Sequence, residues 1–213
     1  MPRPNPTTVV TVGVIAGLAW AASLRAMMSE IAGPYASVSW TGTFVWILAP
    51  GAAIGGLLGW AEHVRRTGGR RGWRWLALSP LLFAAVLFSN PSDLGGVFDD
   101  GVGAGTVAVP VMCMLGGYAL SGRGPVWARV CAGAAFLAGP VAWALTAESV
   151  GGPEFALTTP HGAWIAVLFY ALLAELAIAC SIPHRRVVMS VDAAAAARGA
   201  HEVDPASRPA HIR

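Results

Sequence analysis

Residues 162–182 read GAWIAVLFYALLAELAIACSI, an apolar stretch with a single charged side chain, Glu175. A helix needs about 20 mostly apolar residues to cross the hydrocarbon core of a bilayer, so this stretch predicts a transmembrane helix. The whole chain of 213 residues has the same character, because 55% of them are hydrophobic and 12% are charged, against about 25% charged in soluble domains. Its mean hydropathy is +0.60. This composition argues against a soluble enzyme, a nucleic-acid-binding domain and a disulfide-stapled secreted module.

Five further stretches are long and apolar enough, or nearly so, to cross the membrane. The six predicted spans lie at residues 9–28, 41–61, 73–90, 105–120, 126–147 and 162–182, and the fourth is the shortest. We therefore expect an all-α fold, a polytopic bundle of six transmembrane helices over residues 1–183. Residues 184–213 lack an apolar face, which predicts a disordered cytoplasmic tail. The Ala-Trp-Ala sequence at 19–21 also fits a signal-peptide cleavage site, but the first apolar stretch is long for that role.

The arginines determine the predicted orientation. All fourteen basic residues are Arg. If the N-terminus is cytoplasmic, every arginine except Arg25 falls at an inner helix end, in an inner connector or in the tail, and the outer connectors hold acidic residues. The positive-inside rule then places both termini in the cytoplasm.

The first two spans carry small residues at every fourth position. Such spacing lets membrane helices approach closely, so we expect a tight antiparallel hairpin. Either seam could instead bind another helix or a second protomer. The seam glycines are Gly13 and Gly17 in the first span and Gly51, Gly55 and Gly59 in the second.

Prolines stand inside several spans, where each removes a backbone hydrogen bond and tends to kink its helix. Pro50 is the strongest candidate for a kink or break, because Gly51 follows it directly.

Glu175 is the one ionisable side chain deep within a predicted span. A charged side chain near the centre of a membrane helix costs about 3 kcal/mol on insertion scales, so Glu175 should face the bundle or a water-filled cavity. Two interpretations follow. Glu175 could bind a proton or cation, or it could join helices through a hydrogen bond to Tyr118, Ser79 or Thr11.

Polar residues on the predicted outer side are further binding candidates. Arg25 lies near the outer end of the first span, where it could pair with Glu30, Glu148 or Asp93, or bind an anion. His161 opens the sixth span and could meet the same acidic residues. The residue spacing matches no metal site, so neither a metal nor a cofactor is predicted.

The connector EHVRRTGGRRGWRW, at 62–75, is rich in arginine and tryptophan. The stretch from Arg65 to Arg74 is therefore the predicted contact with anionic lipids, although control of topology explains the same residues. The chain contains none of the common catalytic motifs, such as HExxH, GxSxG or a P-loop, which argues against an enzyme and leaves no catalytic residue to name.

The stretch GLLGWAEHVRRTGGRRGWRWLALSPLLFAA at 56–85, with GLAWAASLR at 17–25, resembles a group of short actinobacterial integral membrane proteins. The resemblance covers about the first three spans. It implies a bacterial inner (cell) membrane location, but no activity and no functional residue.

Three functions from different classes remain at this level, one of them an intramembrane enzyme with an outer site built from Arg25, His161 and the acidic residues of the outer connectors. The leading hypothesis is a non-enzymatic membrane component or complex subunit of the cell envelope, with the lipid bilayer and a second copy or another membrane protein as partners. The alternative is a small proton- or ion-linked transporter or channel that uses Glu175. A cavity that reaches Glu175 would favour transport, and a solid bundle would favour the structural hypothesis.

Overall fold

The computed structural model describes residues 5–88 and 102–187. Within these ranges the chain is all-helical and contains no β-strand. The acidic connector at 91–100, including Asp93, and the predicted tail beyond residue 187 lie outside the described residues.

The described part of the chain forms six α-helices. A π-helical segment, Trp40–Leu48, leads directly into the second helix, and a 3₁₀ helix, Trp73–Leu81, leads directly into the third. Short 3₁₀ turns lie at Gly33–Tyr35, Pro153–Phe155 and Ile182–His184. The α-helices are α1 (Pro6–Ala32), α2 (Ala49–Arg66), α3 (Leu82–Phe88), α4 (Val102–Leu120), α5 (Val126–Gly151) and α6 (Pro160–Cys180).

Local sequence explains where several helices begin and end. The side chains of Asn5, Ser39 and Thr159 each accept a hydrogen bond, at 3.0 Å, from a backbone N–H in the first turn of α1, the π segment and α6. Pro6 occupies the first turn of α1, where a missing N–H costs nothing. Gly33 ends α1 at a φ of 52°, a conformation that favours glycine.

Four helical stretches of the described chain are long and apolar enough to cross a membrane. They correspond to the first, second, fifth and sixth predicted spans, and the apolar helix Val107–Leu120 in the fourth is shorter. The third predicted span begins as a 3₁₀ helix that contains Pro80, which cannot donate a hydrogen bond to an α-helical ladder. The four stretches are Pro6–Tyr35, Trp40–Arg66, Val126–Ser149 and Pro160–His184.

Glycine backbone forms the contact between α1 and α2, which run antiparallel. A Cβ atom on Gly13 would lie 2.3 Å from the carbonyl oxygen of Gly55, and one on Gly17 would lie 2.2 Å from that of Gly51. A Cβ on Gly59 would lie 2.8 Å from the carbonyl oxygen of Val9. Side chains do not fit at such distances, so the two backbones touch directly.

Pro50 lies in the first turn of α2, immediately after the π-helical segment. The chain therefore changes helix type just before Pro50 and stays helical through it. A first-turn proline removes no intrahelical hydrogen bond from the α-helix that follows.

α6 is the most deeply buried of the long helices. Its Leu173 and Cys180 are each 1% exposed. The indole Nε1 of Trp20 in α1 donates to the carbonyl oxygen of Leu172 at 2.9 Å. α4 packs closely on the last turn of α6, since a Cβ on Gly117 would lie 2.6 Å from the Cβ of Cys180.

The ends of α2, α4 and α6 and the start of α1 meet at one end of the bundle, the arginine-rich end. Arg65 at the end of α2 donates to the carbonyl oxygen of Arg186, beyond α6, at 3.2 Å. Arg129 in α5 donates to the carbonyl oxygen of Ala119 in α4 at 3.0 Å. The described arginines at this end are Arg65, Arg66, Arg70, Arg71, Arg74, Arg123, Arg129, Arg185 and Arg186.

The opposite end of the bundle holds one described arginine, Arg25. There Ile31 of α1 packs against Phe155 and Ile165, so the end of α1 meets the start of α6. The described arginines are therefore concentrated at one end of the bundle, and the prediction of orientation from the sequence assumes such a distribution.

Candidate functional site

A cleft of about 400 Å³ opens between α1, α2 and α6. It is lined by the first half of α1, the α-helical part of α2 and the last turns of α6, with Phe83 of α3 contributing. Most of its lining is apolar or glycine, and the charged residues that line it are Glu62, Arg66 and Glu175. The cleft therefore runs from the middle of the bundle to the arginine-rich end.

The seam glycines form one wall of this cleft. Gly13, Gly17, Gly55 and Gly59 line the cleft as well as the contact between α1 and α2. Because glycine has no side chain, the hairpin leaves a groove beside α6 that larger residues would fill. The glycines thus allow both the close packing and the open space next to it.

Glu175 lies at the rim of the cleft with an exposed side chain, next to the buried Leu176. Within the described residues, its carboxylate accepts no hydrogen bond and forms no ion pair. Tyr118, Ser79 and Thr11 do not bond to it, and the buried Oγ of Ser79 has no partner among the described residues. The cleft therefore contains a carboxylate with no described partner, on a helix long and apolar enough to cross a membrane.

Glu62 is the second carboxylate of the cleft, and its charge is balanced. Its Oε2 lies 2.7 Å from Nε of Arg65, and its Oε1 lies 2.6 Å from Nε of Arg66. The three residues are spaced three and four positions apart on α2, the spacing at which helical side chains meet. Glu62 and Arg66 thus line the arginine-rich end of the cleft as an ion pair.

Trp20 and Phe83 close the cleft toward the opposite end of the bundle. Their ring centroids lie 5.5 Å apart, and the side chains are 6% and 7% exposed. The hydrogen bond from Trp20 to the carbonyl oxygen of Leu172 holds the indole in this position. The other residues of α1 and α2 that line the cleft lie on the arginine-rich side of these rings or level with them.

Arg25 lies outside the cleft and joins α1 to the chain that follows it. Its Nε lies 3.4 Å from Oγ1 of Thr43, and its terminal nitrogens donate to Oγ of Ser29 and the carbonyl oxygen of Ser37. It pairs with no acidic residue of the described part, and Asp93 lies outside that part. Its observed partners are hydroxyl and carbonyl oxygens, where the sequence suggested carboxylates.

His161 and Glu148 show no shared site with Arg25. The imidazole of His161 packs edge-on against Phe155, with ring centroids 5.3 Å apart. Glu148 has an exposed side chain, and its backbone oxygen accepts a hydrogen bond from Gly152 N at 2.9 Å. No three His, Cys, Asp or Glu side chains in the described residues are grouped so that they could hold a metal ion.

Sequence reasoning singled out Glu175 and the seam glycines but missed other lining residues. Glu62 and Arg66 had a readable signal, namely their four-residue spacing at the end of an apolar helix. Trp20 and Phe83 had none, because their approach depends on how α1, α3 and α6 pack. Tertiary contacts of this kind leave no trace in a local pattern.

Comparisons of the chain with protein-family models, with curated proteins and with solved structures found no match. What the protein does is therefore inferred from its own residues. A mostly apolar cleft with a carboxylate that has no partner among the described residues offers an oxygen ligand for a small cation.

Proposed function

We propose that this protein is a small, non-enzymatic transporter of the bacterial inner membrane that uses Glu175 to bind a proton or a cation. The observation that carries the proposal is the cleft of about 400 Å³ that Glu175 lines and that reaches the arginine-rich end at Glu62 and Arg66. A solid bundle would have favoured a purely structural membrane component.

The proposal includes a six-span topology with both termini in the cytoplasm. The ends of α2, α4 and α6 lie together. If α4 crosses the bilayer, the chain between α2 and α4 has to cross it as well. A 3₁₀ helix rises about 2.0 Å per residue, so Trp73–Leu81 together with α3 covers about 28 Å, close to the roughly 30 Å of a hydrocarbon core.

The positive-inside rule assigns the arginine-rich end to the cytoplasm. The cleft then opens toward the cytoplasm and is closed toward the outside by Trp20 and Phe83. This arrangement corresponds to the inward-open state of a transport cycle. An outward-open state requires the two rings to separate and the inner half of the cleft to close.

Glu175 is the proposed ion-binding group, and the ion gradient or membrane potential supplies the driving force. An ionised carboxylate at this depth costs about 3 kcal/mol on insertion scales. A bound proton or cation removes much of that cost, and its release restores it. The change between the inward-open and outward-open states is therefore faster with Glu175 neutralised, and the slower return of the ionised form still gives a net flux of the bound ion.

The test is ion flux through the purified full-length protein in liposomes. An imposed membrane potential drives entry, and dyes inside the vesicles report H⁺ or Na⁺. Glu175→Gln should reduce the protein-dependent flux to the level of empty vesicles, and Glu175→Asp should retain part of it. Glu30→Gln is the matched control, because Glu30 is an exposed carboxylate on α1 that does not line the cleft.

Each variant should elute as a single species and keep its helical circular dichroism, so that a loss of flux reflects the site. A Glu175→Gln protein with the wild-type flux would contradict the proposal. The same holds for a wild-type protein that conducts neither ion above the level of empty vesicles.

A second candidate function is a subunit of a membrane complex. An exposed aromatic patch between α1 and the π segment favours it, because Tyr35 is 92% exposed and Trp40 is 80% exposed. Tyrosine and tryptophan are enriched at protein interfaces and also at membrane surfaces. Native mass spectrometry from lipid nanodiscs separates the two functions, since a stoichiometric second protein favours the subunit.

A further inference from the structure

A second pocket lies at the arginine-rich end, outside the Glu175 cleft. It has a volume of about 570 Å³. Two arginines, a histidine and two tryptophans dominate its lining: Arg70, Arg74, His184, Trp73 and Trp75.

A tight turn places the two arginines of this pocket. Gly72 adopts a φ of 80°, in the left-handed region that favours glycine, and the 3₁₀ helix starts directly after it. The backbone N–H of Trp73 donates to the carbonyl oxygen of Arg70 at 3.2 Å, and that of Trp75 donates to Gly72 at 3.0 Å. Arg70 and Arg74 therefore flank a turn that is fixed by backbone hydrogen bonds.

The chain beyond α6 brings His184 to the same place. Arg65 holds this chain by donating to the carbonyl oxygen of Arg186 at 3.2 Å. Val187 packs on the loop, since its Cγ2 lies 3.1 Å from the position of a Cβ on Gly69. Residues from two distant parts of the sequence thus form one pocket, which the loop composition alone does not imply.

The basic groups around this pocket lack a balancing acid in the described part of the chain. Arg70, Arg74 and His184 line the same pocket. The ion pairs among the described residues are those of Glu62, and none involves Arg70, Arg74 or Arg123. Gathered like charges repel one another, and a bound anion relieves that repulsion.

We propose that this pocket binds the phosphate headgroup of an anionic phospholipid. Arginine binds phosphate through two parallel N–H···O bonds, and Arg70 and Arg74 supply two such groups. Trp75 is 75% exposed and the neighbouring Leu78 is 43% exposed, so apolar surface adjoins the basic groups. A lipid satisfies both features, because its phosphate meets the arginines and its acyl chains cover the apolar side chains, whereas free phosphate satisfies only the first.

Arg71 provides a matched control for this site. It lies in the same loop, is exposed and does not line the pocket. If the affinity for anionic lipid came from diffuse attraction to a charged membrane surface, all arginines of the loop would contribute to it equally. If it comes from a headgroup site, Arg70 and Arg74 contribute to the affinity and Arg71 does not.

The experiment is native mass spectrometry of the full-length protein released from nanodiscs of equal phosphatidylglycerol and phosphatidylcholine. The wild-type protein should retain phosphatidylglycerol preferentially. Arg74→Gln and Arg70→Gln should each lower its retention about fivefold, the equivalent of about 1 kcal/mol per arginine. Arg71→Gln should behave as the wild type does.

Three results would overturn the proposal. One is an equal loss in Arg71→Gln, which indicates diffuse attraction. Another is equal retention of both lipids by the wild-type protein, which needs no variant and so does not depend on how the variants fold. The third is displacement of phosphatidylglycerol by millimolar inorganic phosphate, which indicates a site for a soluble anion.

Discussion

Glu62 and Glu175 line the same cleft, yet their surroundings give them different properties. Two arginines on the same helix balance the charge of Glu62. The ionised form of Glu175 has no such balance among the described residues. Removing the charge of Glu62 would break its ion pairs with Arg65 and Arg66. Removing the charge of Glu175 would break no hydrogen bond or ion pair among the described residues. A substitution that removes the charge of Glu175 is therefore expected to disturb the fold less than one that removes the charge of Glu62.

Arg25 is expected to stabilise the fold through its three hydrogen bonds. Arg25→Leu should lower the free energy of unfolding by about 1–2 kcal/mol, because Ser37 and Thr43 lose a charged donor. The stability of Arg25→Lys should lie between those of the wild type and Arg25→Leu, since lysine keeps the positive charge but lacks the planar guanidinium group. Thermal unfolding in detergent, followed by tryptophan fluorescence, measures the difference.

Arg71→Gln serves as the control for Arg25, because Arg71 is exposed and should leave the unfolding temperature unchanged. An Arg25→Leu protein as stable as the wild type would contradict this structural role. It would favour the other hypothesis from the sequence, that Arg25 binds an anion. Sequence reasoning placed Arg25 near the end of its span, but it could not find these partners. The loop at 36–39 and the π segment after it bring these partners to Arg25, and hydropathy encodes neither geometry.

The contact between α1 and α2 depends on the absence of side chains. A Cβ on Gly55 would lie 2.1 Å from the carbonyl oxygen of Gly13 and 2.8 Å from the Cα of Gly17. Both atoms belong to backbone, which moves only if the helices separate. Gly55→Ala should therefore destabilise the protein by several kcal/mol or change its oligomeric state, measured by thermal unfolding and by elution volume.

Gly133 in α5 is the matched control. A Cβ there would meet the Cβ of Ala119 at 3.6 Å, an ordinary contact. Gly133→Ala should be neutral or stabilise the protein by about 0.5–1 kcal/mol, because alanine has the higher helix propensity. Equal effects of the two substitutions would show that propensity, and not close approach, determines the stability of the hairpin.

Hydropathy predicted where the helices lie better than which kind of helix they form. Within a bilayer, long apolar stretches have to be helical, which is why the first, second, fifth and sixth stretches could be located from sequence. The π segment before Pro50 and the 3₁₀ helix around Pro80 could not. The three helix types bury similar side chains and differ in their backbone hydrogen-bonding pattern. Tertiary packing determines which of these patterns forms. The cleft could not be predicted from the sequence either, since it exists only where three helices meet.

At the scale of the whole molecule, charge and packing point to the same arrangement. The described arginines other than Arg25 lie at the end of the bundle where α2, α4 and α6 finish. Both proposed binding sites, the Glu175 cleft and the pocket around Arg74, are lined by residues at that end. If that end faces the cytoplasm, as proposed, both ligands arrive from the cytoplasm or from the inner leaflet. The orientation in the membrane is therefore the property on which both proposals depend.

Single cysteines in a protein whose native cysteines are replaced by alanine test this orientation. Thr67→Cys lies at the arginine-rich end, Thr158→Cys lies at the opposite end, and Ser92→Cys lies in the connector between the third and fourth predicted spans. A membrane-impermeant maleimide added to intact cells should label Thr158→Cys and Ser92→Cys, and should label Thr67→Cys only after the membrane is opened. If Thr158→Cys is labelled and Ser92→Cys is not, the third segment does not cross and the protein has four spans. If only Thr67→Cys is labelled in intact cells, the orientation is reversed, and the two pockets open to the outside.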